Sequence, residues 1–331
     1  MKYKITSGFA PFAPCADRFV PAGYRDPMTL EQQMEAASKI KGLESVGLDY
    51  PYQFTDPNQV KPLLAKTGLV FVTLEIGLYP DRKWKNGTYT SPDPGIRREA
   101  IEMSKKALDV AAELGAVDVL MWPGQDGFDY PFQSDYQKYW TLLADGIGEV
   151  AAHRPDVKIA IEYKKQEPRA NCYIRNAGVL LNLLNELGMN NVGGCIDLGH
   201  SLAAGENPAE AAVLLHRAGK LFQVHINDNY RDWDHDLIVG SVTFWETLEF
   251  FYWLDRCGWD GWYILDIFPY RLDGSASLQQ GVDRTIRLVE LVRKIGTRSL
   301  QESLSQADVL AAGRELWSTL FGTEGTGEGK A

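Results

Sequence analysis

Eight short apolar runs, each followed by a loop and then by a segment of helical periodicity, succeed one another between Tyr3 and Ile295. Strands that are apolar throughout must be covered by helices on both faces, so alternation of this kind reads as an α/β protein with a parallel sheet. The runs are Tyr3 to Phe9, Leu43 to Leu48, Leu69 to Ile76, Val117 to Met121, Val157 to Ile161, Val192 to Ile196, Leu221 to Ile226 and Trp262 to Ile267. Eight such units fit one closed (β/α)8 TIM barrel better than any open sheet. A doubly wound sheet would want a glycine-rich phosphate turn after the first strand, and G-F-A-P-F-A-P supplies none.

Local signals place the helices between the strands. Thr29 with Gln32 forms a capping box, and Gly42 ends the helix it opens. Pro57 opens a second, which stops at Gly68. Asp93 and Pro94 start the third, where Ile96, Ala100, Met103, Ala107, Val110 and Leu114 recur at spacings of three and four before Gly115 closes it. Further helices are expected over Ser134 to His153, Asn171 to Leu187, Pro208 to Ala218, Val242 to Cys257 and Leu278 to Ile295. The segment from Arg298 to Phe321 sets Leu300, Leu304, Ala307, Ala311, Leu316 and Leu320 on roughly one face, the pattern of one or two extra helices. The expected organisation is a barrel over 1–296, a C-terminal helical extension over 297–321, and a tail over 322–331 too rich in glycine to order itself.

Composition removes several functional classes. The net charge of −10, from 34 Lys and Arg against 44 Asp and Glu, repels nucleic acid and anionic membranes. Cys15, Cys172, Cys195 and Cys257 show no metal-knuckle spacing and read as buried thiols of a reducing compartment. No leader-like N-terminus and no run of eighteen apolar residues is visible, so a cytoplasmic location is expected.

The last four strands end alike. Glu162, Asp197, His225 and Asp266 stand at or just beyond strands five to eight, and in a barrel all such ends lie at one face. Carboxylates crowded there repel unless a cation sits between them, and three carboxylates with one imidazole suit Mn²⁺, Co²⁺ or Mg²⁺ rather than a structural zinc. His200, three residues after Asp197, and Asp234 and Asp236, beyond His225, extend the set to a second site sharing Asp197. Lys164 points to the same side of its strand as Glu162, where it can donate to a carbonyl oxygen as that oxygen gains charge. Trp122, Gln125 and Asp126 follow the fourth strand and offer the mixture of apolar face and polar group that grips a polyol, His200 being a further substrate contact. His153 and His216 read as structural, and His235 has no assigned role.

In order and spacing, I-E-Y-K, I-D-L-G-H, V-H-I-N-D and L-D-I resemble the strand ends of the xylose isomerase-like barrel superfamily, and D-P-G-I-R-R-E-A-I-E-M-S-K-K-A-L is similar to its third helix. The resemblance runs from Tyr3 to Ile295. His225 on strand seven is similar to the rhamnose isomerases, whereas xylose isomerase has aspartate there. The resemblance implies a divalent-metal-dependent aldose-ketose isomerase with one or two ions, Mn²⁺ foremost, and with hydride or proton transfer between C1 and C2. Its metal ligands would be Glu162, Asp197, His200, His225, Asp234, Asp236 and Asp266, and its catalytic groups Lys164, Glu162 and Asp234. The implied partner is a small sugar, in a homo-oligomer, with neither nucleic acid nor membrane. Two departures matter. Related ketose 3-epimerases carry glutamate on strand eight where this chain has the shorter Asp266, and no histidine precedes His153, so the ring-contacting histidine of xylose isomerase has no counterpart. Epimerisation, a lyase or decarboxylase acting on an oxidised sugar or glycoside, and a metal-binding scaffold stand as alternatives.

Overall fold

A computed structural model describes residues 3–322. Ten strands and eleven α-helices follow one another among these residues. The barrel strands are β1 (Ile5–Ser7), β2 (Ser45–Tyr50), β3 (Val70–Ile76), β4 (Asp118–Met121), β6 (Ile159–Glu162), β8 (Val192–Asp197), β9 (Leu221–Ile226) and β10 (Tyr263–Leu265). They close in the order β1-β10-β9-β8-β6-β4-β3-β2, every neighbour parallel. Two short strands, β5 (Gly127–Phe128) and β7 (Asn171–Cys172), pair antiparallel outside the barrel and tie the loop after β4 to the loop after β6.

The helices are α1 (Leu30–Ala37), α2 (Pro57–Thr67), α3 (Pro94–Leu114), α4 (Tyr136–His153), α5 (Ala177–Leu187), α6 (Leu198–Ala203), α7 (Pro208–Arg217), α8 (Phe244–Arg256), α9 (Gly274–Ile295), α10 (Arg298–Ser305) and α11 (Val309–Phe321). Local chemistry sets their ends. Thr29 accepts from the Gln32 amide while the Gln32 side chain accepts from the Thr29 N–H, and Gly68 and Gly115 close α2 and α3 in the left-handed conformation. Along α3, Ala100, Ala107 and Val110 are buried, with Ile96, Met103 and Leu114 packed partly buried at the same core.

Three expectations change. The helix expected over 171–187 begins only after Asn176, because Asn171 and Cys172 are held extended by β5 and tertiary pairing overrides local propensity. The loop expected after Asp197 is instead α6, capped by the Asp197 carboxylate, which accepts from the His200 N–H. The C-terminal extension is two helices whose apolar face is not continuous. Leu300 and Ala312 are buried, but Ala307 sits at φ 55° in the break between them and Leu304 is exposed. The tail expected over 322–331 lies outside the described residues beyond Gly322.

Candidate active site

Residues two apart on a strand face the same way, and inside the barrel that parity stacks polar layers. Gln223 on β9 reaches across the lumen, its amide nitrogen donating to Thr73 Oγ1 on β3 at 2.7 Å and to Asp118 Oδ1 on β4 at 2.6 Å. One layer nearer the C-terminal end of the strands come His225, Glu75, Glu162 and Asp197. Glu75 and Glu162 of that layer line a cavity of about 350 Å³ at the face where barrel enzymes carry their chemistry, within the range of small-molecule sites. Glu75, Glu162, Lys164, Glu167, His200, Asp234, Asp236 and Asp266 contribute its charged lining, and Tyr79, Trp122, Gln125, Phe268 and Tyr270 contribute rings and an amide.

One ligand atom each from Glu162, Asp197, His225 and Asp266 falls within a cluster whose members all lie within 4.8 Å of one another. The His225 ring is set for such a role: Nε2 lies 3.2 Å from Gln223 Oε1, leaving Nδ1 toward Asp266 Oδ2 at 3.3 Å and Glu162 Oε1 at 3.5 Å. Glu162 Oε1 is buried with no hydrogen-bond partner, as is Asp234 Oδ1, although His200 Nδ1 stands 3.2 Å from the former without the alignment of a hydrogen bond. An orphaned carboxylate oxygen among oxygen and nitrogen donors is what a hard divalent cation completes, so the residues present fit a metal.

Asp197, His200 and Asp234 make a second group at the same spacing. Asp236, the fourth ligand expected there, falls outside that group. Its Oδ1 accepts from the Asn227 amide at 3.0 Å, and the same amide donates to Asp197 Oδ2 at 2.9 Å. Both nitrogens of His200 are engaged, Nδ1 by the Tyr163 carbonyl oxygen at 3.1 Å and Nε2 by Asp234 Oδ2 at 3.0 Å. Asn227 also takes the Gly199 N–H at 2.8 Å, and a Cβ at residue 199 would come within 2.5 Å of the Asn227 amide oxygen, so glycine is required there.

Lys164 leaves the strand beside this cluster. Its ammonium contacts Asp234 at 2.7 Å and Glu167 at 2.9 Å and lies 5.1 Å from the centre of the Trp122 ring. Burial disfavours its charge, but Asp234 and Glu167 more than offset that and hold it protonated, well above the usual lysine range. Burial likewise raises Asp234, and His200 with Lys164 reverses the effect, so its carboxylate stays ionised well below the usual range. Burial also acts on Glu162, where His225 and His200 win and depress the pKa, and on Asp197, which is pushed up to about 7 against the pull of His200.

The structure moves one expected substrate contact and adds two carboxylates. Asp126 is not among the cavity-lining residues: buried behind the loop, its carboxylate accepts from the N–H groups of Thr88 and Thr90 and from both hydroxyls, and so orders the loop that carries Gln125. Asp49 on β2 and Glu75 on β3 are register partners, and Glu75 lines the cavity. The trace of Glu75 in the sequence is a carboxylate inside an apolar run, T-L-E-I, whereas Asp49 falls just past the expected strand end at Leu48. His153 pairs with Asp109 on the surface, at 3.0 Å. His235 stacks edge-on against Tyr230 away from the cluster. All four cysteines are free thiols, Cys195 lying beside His225 with its thiol pushed up to about 12 by burial. No helix among the described residues is long and apolar enough to cross a membrane.

Comparison with known proteins agrees with this geometry. Residues 33–290 match the sequence model of a family described as xylose isomerase-like TIM barrel. A xylose isomerase from Thermus thermophilus is 29% identical over 266 residues, which is 76% of this chain and 66% of that enzyme. A probable sugar isomerase from Mesorhizobium japonicum is 28% identical over 236 residues, 68% of this chain and 54% of the relative. The chain therefore spans about two thirds or less of the length of these relatives. Among solved structures, an L-ribulose 3-epimerase superimposes with a TM-score of 0.70 at 17% identity, covering 88% of this chain and 96% of its own, a likeness of fold.

Proposed function

From the premise that this chain belongs to the xylose isomerase-like TIM-barrel family, we propose that it is a divalent-metal-dependent sugar isomerase that interconverts an aldose and a ketose. The observation that carries the reading is the cluster of Glu162, Asp197, His225 and Asp266, which opens through Glu162 and Asp266 on the same cavity as the Lys164–Asp234 ion pair. The four clustered residues would hold a cation, Mn²⁺ foremost, with His200 and Asp234 beside them for a second. A divalent ion bound there supplies Lewis-acid polarisation of two adjacent sugar oxygens.

The residues of the chain account for the rest. Moving hydrogen between C2 and C1 requires a proton to leave the C2 hydroxyl and another to reach the C1 oxygen. Asp234 Oδ1, buried without a partner and ionised, accepts the first. Lys164, 2.7 Å from the other oxygen of Asp234, donates the second as the C1 oxygen gains negative charge. The proton balance closes within that pair. Trp122, Tyr79 and Phe268 present the apolar surfaces against which a sugar ring packs and from which water is excluded.

The test is a panel of free pentoses, hexoses, deoxyhexoses and their phosphates, incubated with chelator-treated protein before and after addition of Mn²⁺, with products resolved by NMR. Metal-dependent interconversion of an aldose and a ketose is expected. Inversion at C3 of a ketose would replace this reading by epimerisation, the activity for which the L-ribulose 3-epimerase of like fold is named. Fragments would indicate a lyase, and tight Mn²⁺ binding without turnover a scaffold.

A further inference from the structure

We propose that Glu75 and Asp49 form a proton-sharing carboxyl pair that opens the ring of a cyclic sugar bound in the barrel mouth. The assignment rests on the sugar-isomerase reading above and extends it to the opening of the sugar ring.

The placement comes from the strands. Asp49 and Glu75 are register partners on adjacent parallel strands, so their side chains leave the sheet on the same face and side by side. Adjacent strands stand about 4.8 Å apart, so the two carboxyl groups face each other across a single inter-strand spacing, where two like charges are avoided by keeping a proton on the pair. Glu75 is the member that lines the cavity. Asp49 stands behind it and accepts from the Tyr79 hydroxyl at 3.4 Å. One layer below, Gln223 spans the lumen to Thr73, and the next inward residues on those two strands are His225 and Glu75. Glu75 therefore stands across the mouth from the clustered ligands, on the side a sugar turns away from them. The unpartnered oxygens of Glu162 and Asp234 in the same cavity mark it as built to receive a ligand.

Burial acts first to keep Glu75 protonated, followed by Asp49 on the neighbouring strand, which is not one of the clustered ligands and so keeps its effect when a cation is bound. A carboxylic acid at this wall can work with both oxygens at once. Its hydroxyl gives a proton to the ring oxygen as the C1–O5 bond breaks, and its carbonyl oxygen takes the proton of the anomeric hydroxyl as the C1 carbonyl forms. One proton is given and one taken, and no co-reactant is needed. Asp49 acts through Glu75 as a positioning residue, its charge holding the proton on its neighbour.

The experiment compares wild type, Glu75→Gln and Asp49→Asn as full chains loaded with Mn²⁺, on cyclic aldoses and on glyceraldehyde, which is too short to close a ring. Metal content is checked by calorimetric Mn²⁺ titration. In Glu75→Gln the ratio of kcat on cyclic sugar to kcat on glyceraldehyde falls by about 100-fold. In Asp49→Asn the pH above which cyclic turnover declines moves down, because Glu75 loses the neighbour that keeps it protonated. A carbonyl stretch of a protonated carboxylic acid, seen by infrared difference at pH 8, disappears in Glu75→Gln. An unchanged ratio, or no such band in wild type, overturns the pair's role while leaving the isomerase reading standing. Failure of wild type to convert any sugar, cyclic or acyclic, removes both, and the infrared band then still reports whether the pair holds a proton.

Discussion

His225 Nε2 lies 3.2 Å from the side-chain oxygen of Gln223, two residues earlier on the same strand, and Gln223 in turn donates to Asp118 at 2.6 Å. Because the Gln223 amide nitrogen is committed to Asp118 and Thr73, its oxygen can only accept, and the proton on His225 is fixed at Nε2. Nδ1 is thereby left for the cluster of Glu162 and Asp266. Supports of this kind typically change metal affinity by about 10–100-fold when removed. Gln223→Met keeps the volume and loses the acceptor, so Mn²⁺ affinity measured by isothermal titration calorimetry should fall by about that factor, with the circular dichroism spectrum retained. An unchanged affinity would mean that His225 takes no part in holding the ion.

The same groups give the metal-free protein a characteristic response to pH. Burial pushes Asp197 up to about 7 and Asp118 up to about 6. A carboxyl raised in this way keeps its proton in the folded state while the unfolded chain has already lost it, so stability drains away as pH rises from about 4 through those values. Burial disfavours charge on His200 and His225, yet Asp197 and Asp234 around the first, and Glu162 and Asp266 around the second, hold both well above the usual histidine value. Their contribution is complete below about 6.5 and is lost as pH climbs toward the folded values, which has the same sign. Glu162 and Asp234, depressed, act oppositely but only below about pH 4.5. Chelator-treated protein should therefore lose about 2–4 °C in Tm per net proton for each pH unit between 5.5 and 8.5. Added Mn²⁺ should raise Tm more at pH 8 than at pH 6, since its ligands must shed protons to bind. A metal-free Tm that rises across that interval would contradict the arrangement.

How far these features are legible in the sequence follows from the physics of each residue. The barrel is readable because eight strand and helix units with no glycine-rich phosphate turn after the first strand favour closure over an open sheet, and helix ends such as Thr29–Gln32 and Pro94–Gly115 are written in local chemistry. The four strand-end ligands are readable because they stand where apolar runs stop. Glu75 and Gln223 stand inside such runs, and Asp49 reads locally as the start of a loop, so nothing separates lumen-facing groups from ordinary strand residues until the register is known. Asn171–Cys172 escapes for the complementary reason, since its pairing partner lies more than forty residues away.

Asp126 shows how a polar residue in the right loop can serve the scaffold instead of the substrate. Its carboxylate accepts from the amides of Thr88 and Thr90 at 2.9 and 2.7 Å and from both hydroxyls, at 1% exposure. Asp126→Ala leaves those donors buried without acceptors and should destabilise the protein by about 2–4 kcal/mol, read from urea denaturation. A substrate contact would behave otherwise, raising KM with stability intact. Asn at this position keeps only one acceptor oxygen, so an intermediate loss of stability is expected from Asp126→Asn.

Lys164 offers the sharpest separation of chemistry from binding. Its ammonium sits between Asp234 and Glu167 and over the Trp122 ring, and none of the four clustered ligand atoms belongs to it. Lys164→Met preserves the length of the side chain and its packing on Trp122 but removes the donor facing the substrate oxygen. If that donor steadies charge that appears only in the transition state, kcat falls by about 10²–10³ while KM and Mn²⁺ affinity change little. Asp234, left with His200 alone, should then titrate nearer the ordinary aspartate range, and the acid limb of any residual activity should move to higher pH. Lys164→Arg restores the charge but not the geometry, because a planar guanidinium cannot place one proton where the ammonium did, and it should recover the acid limb without recovering kcat. Equal losses in kcat and in metal affinity for Lys164→Met would show instead that the lysine serves to balance the charge of the carboxylates around it.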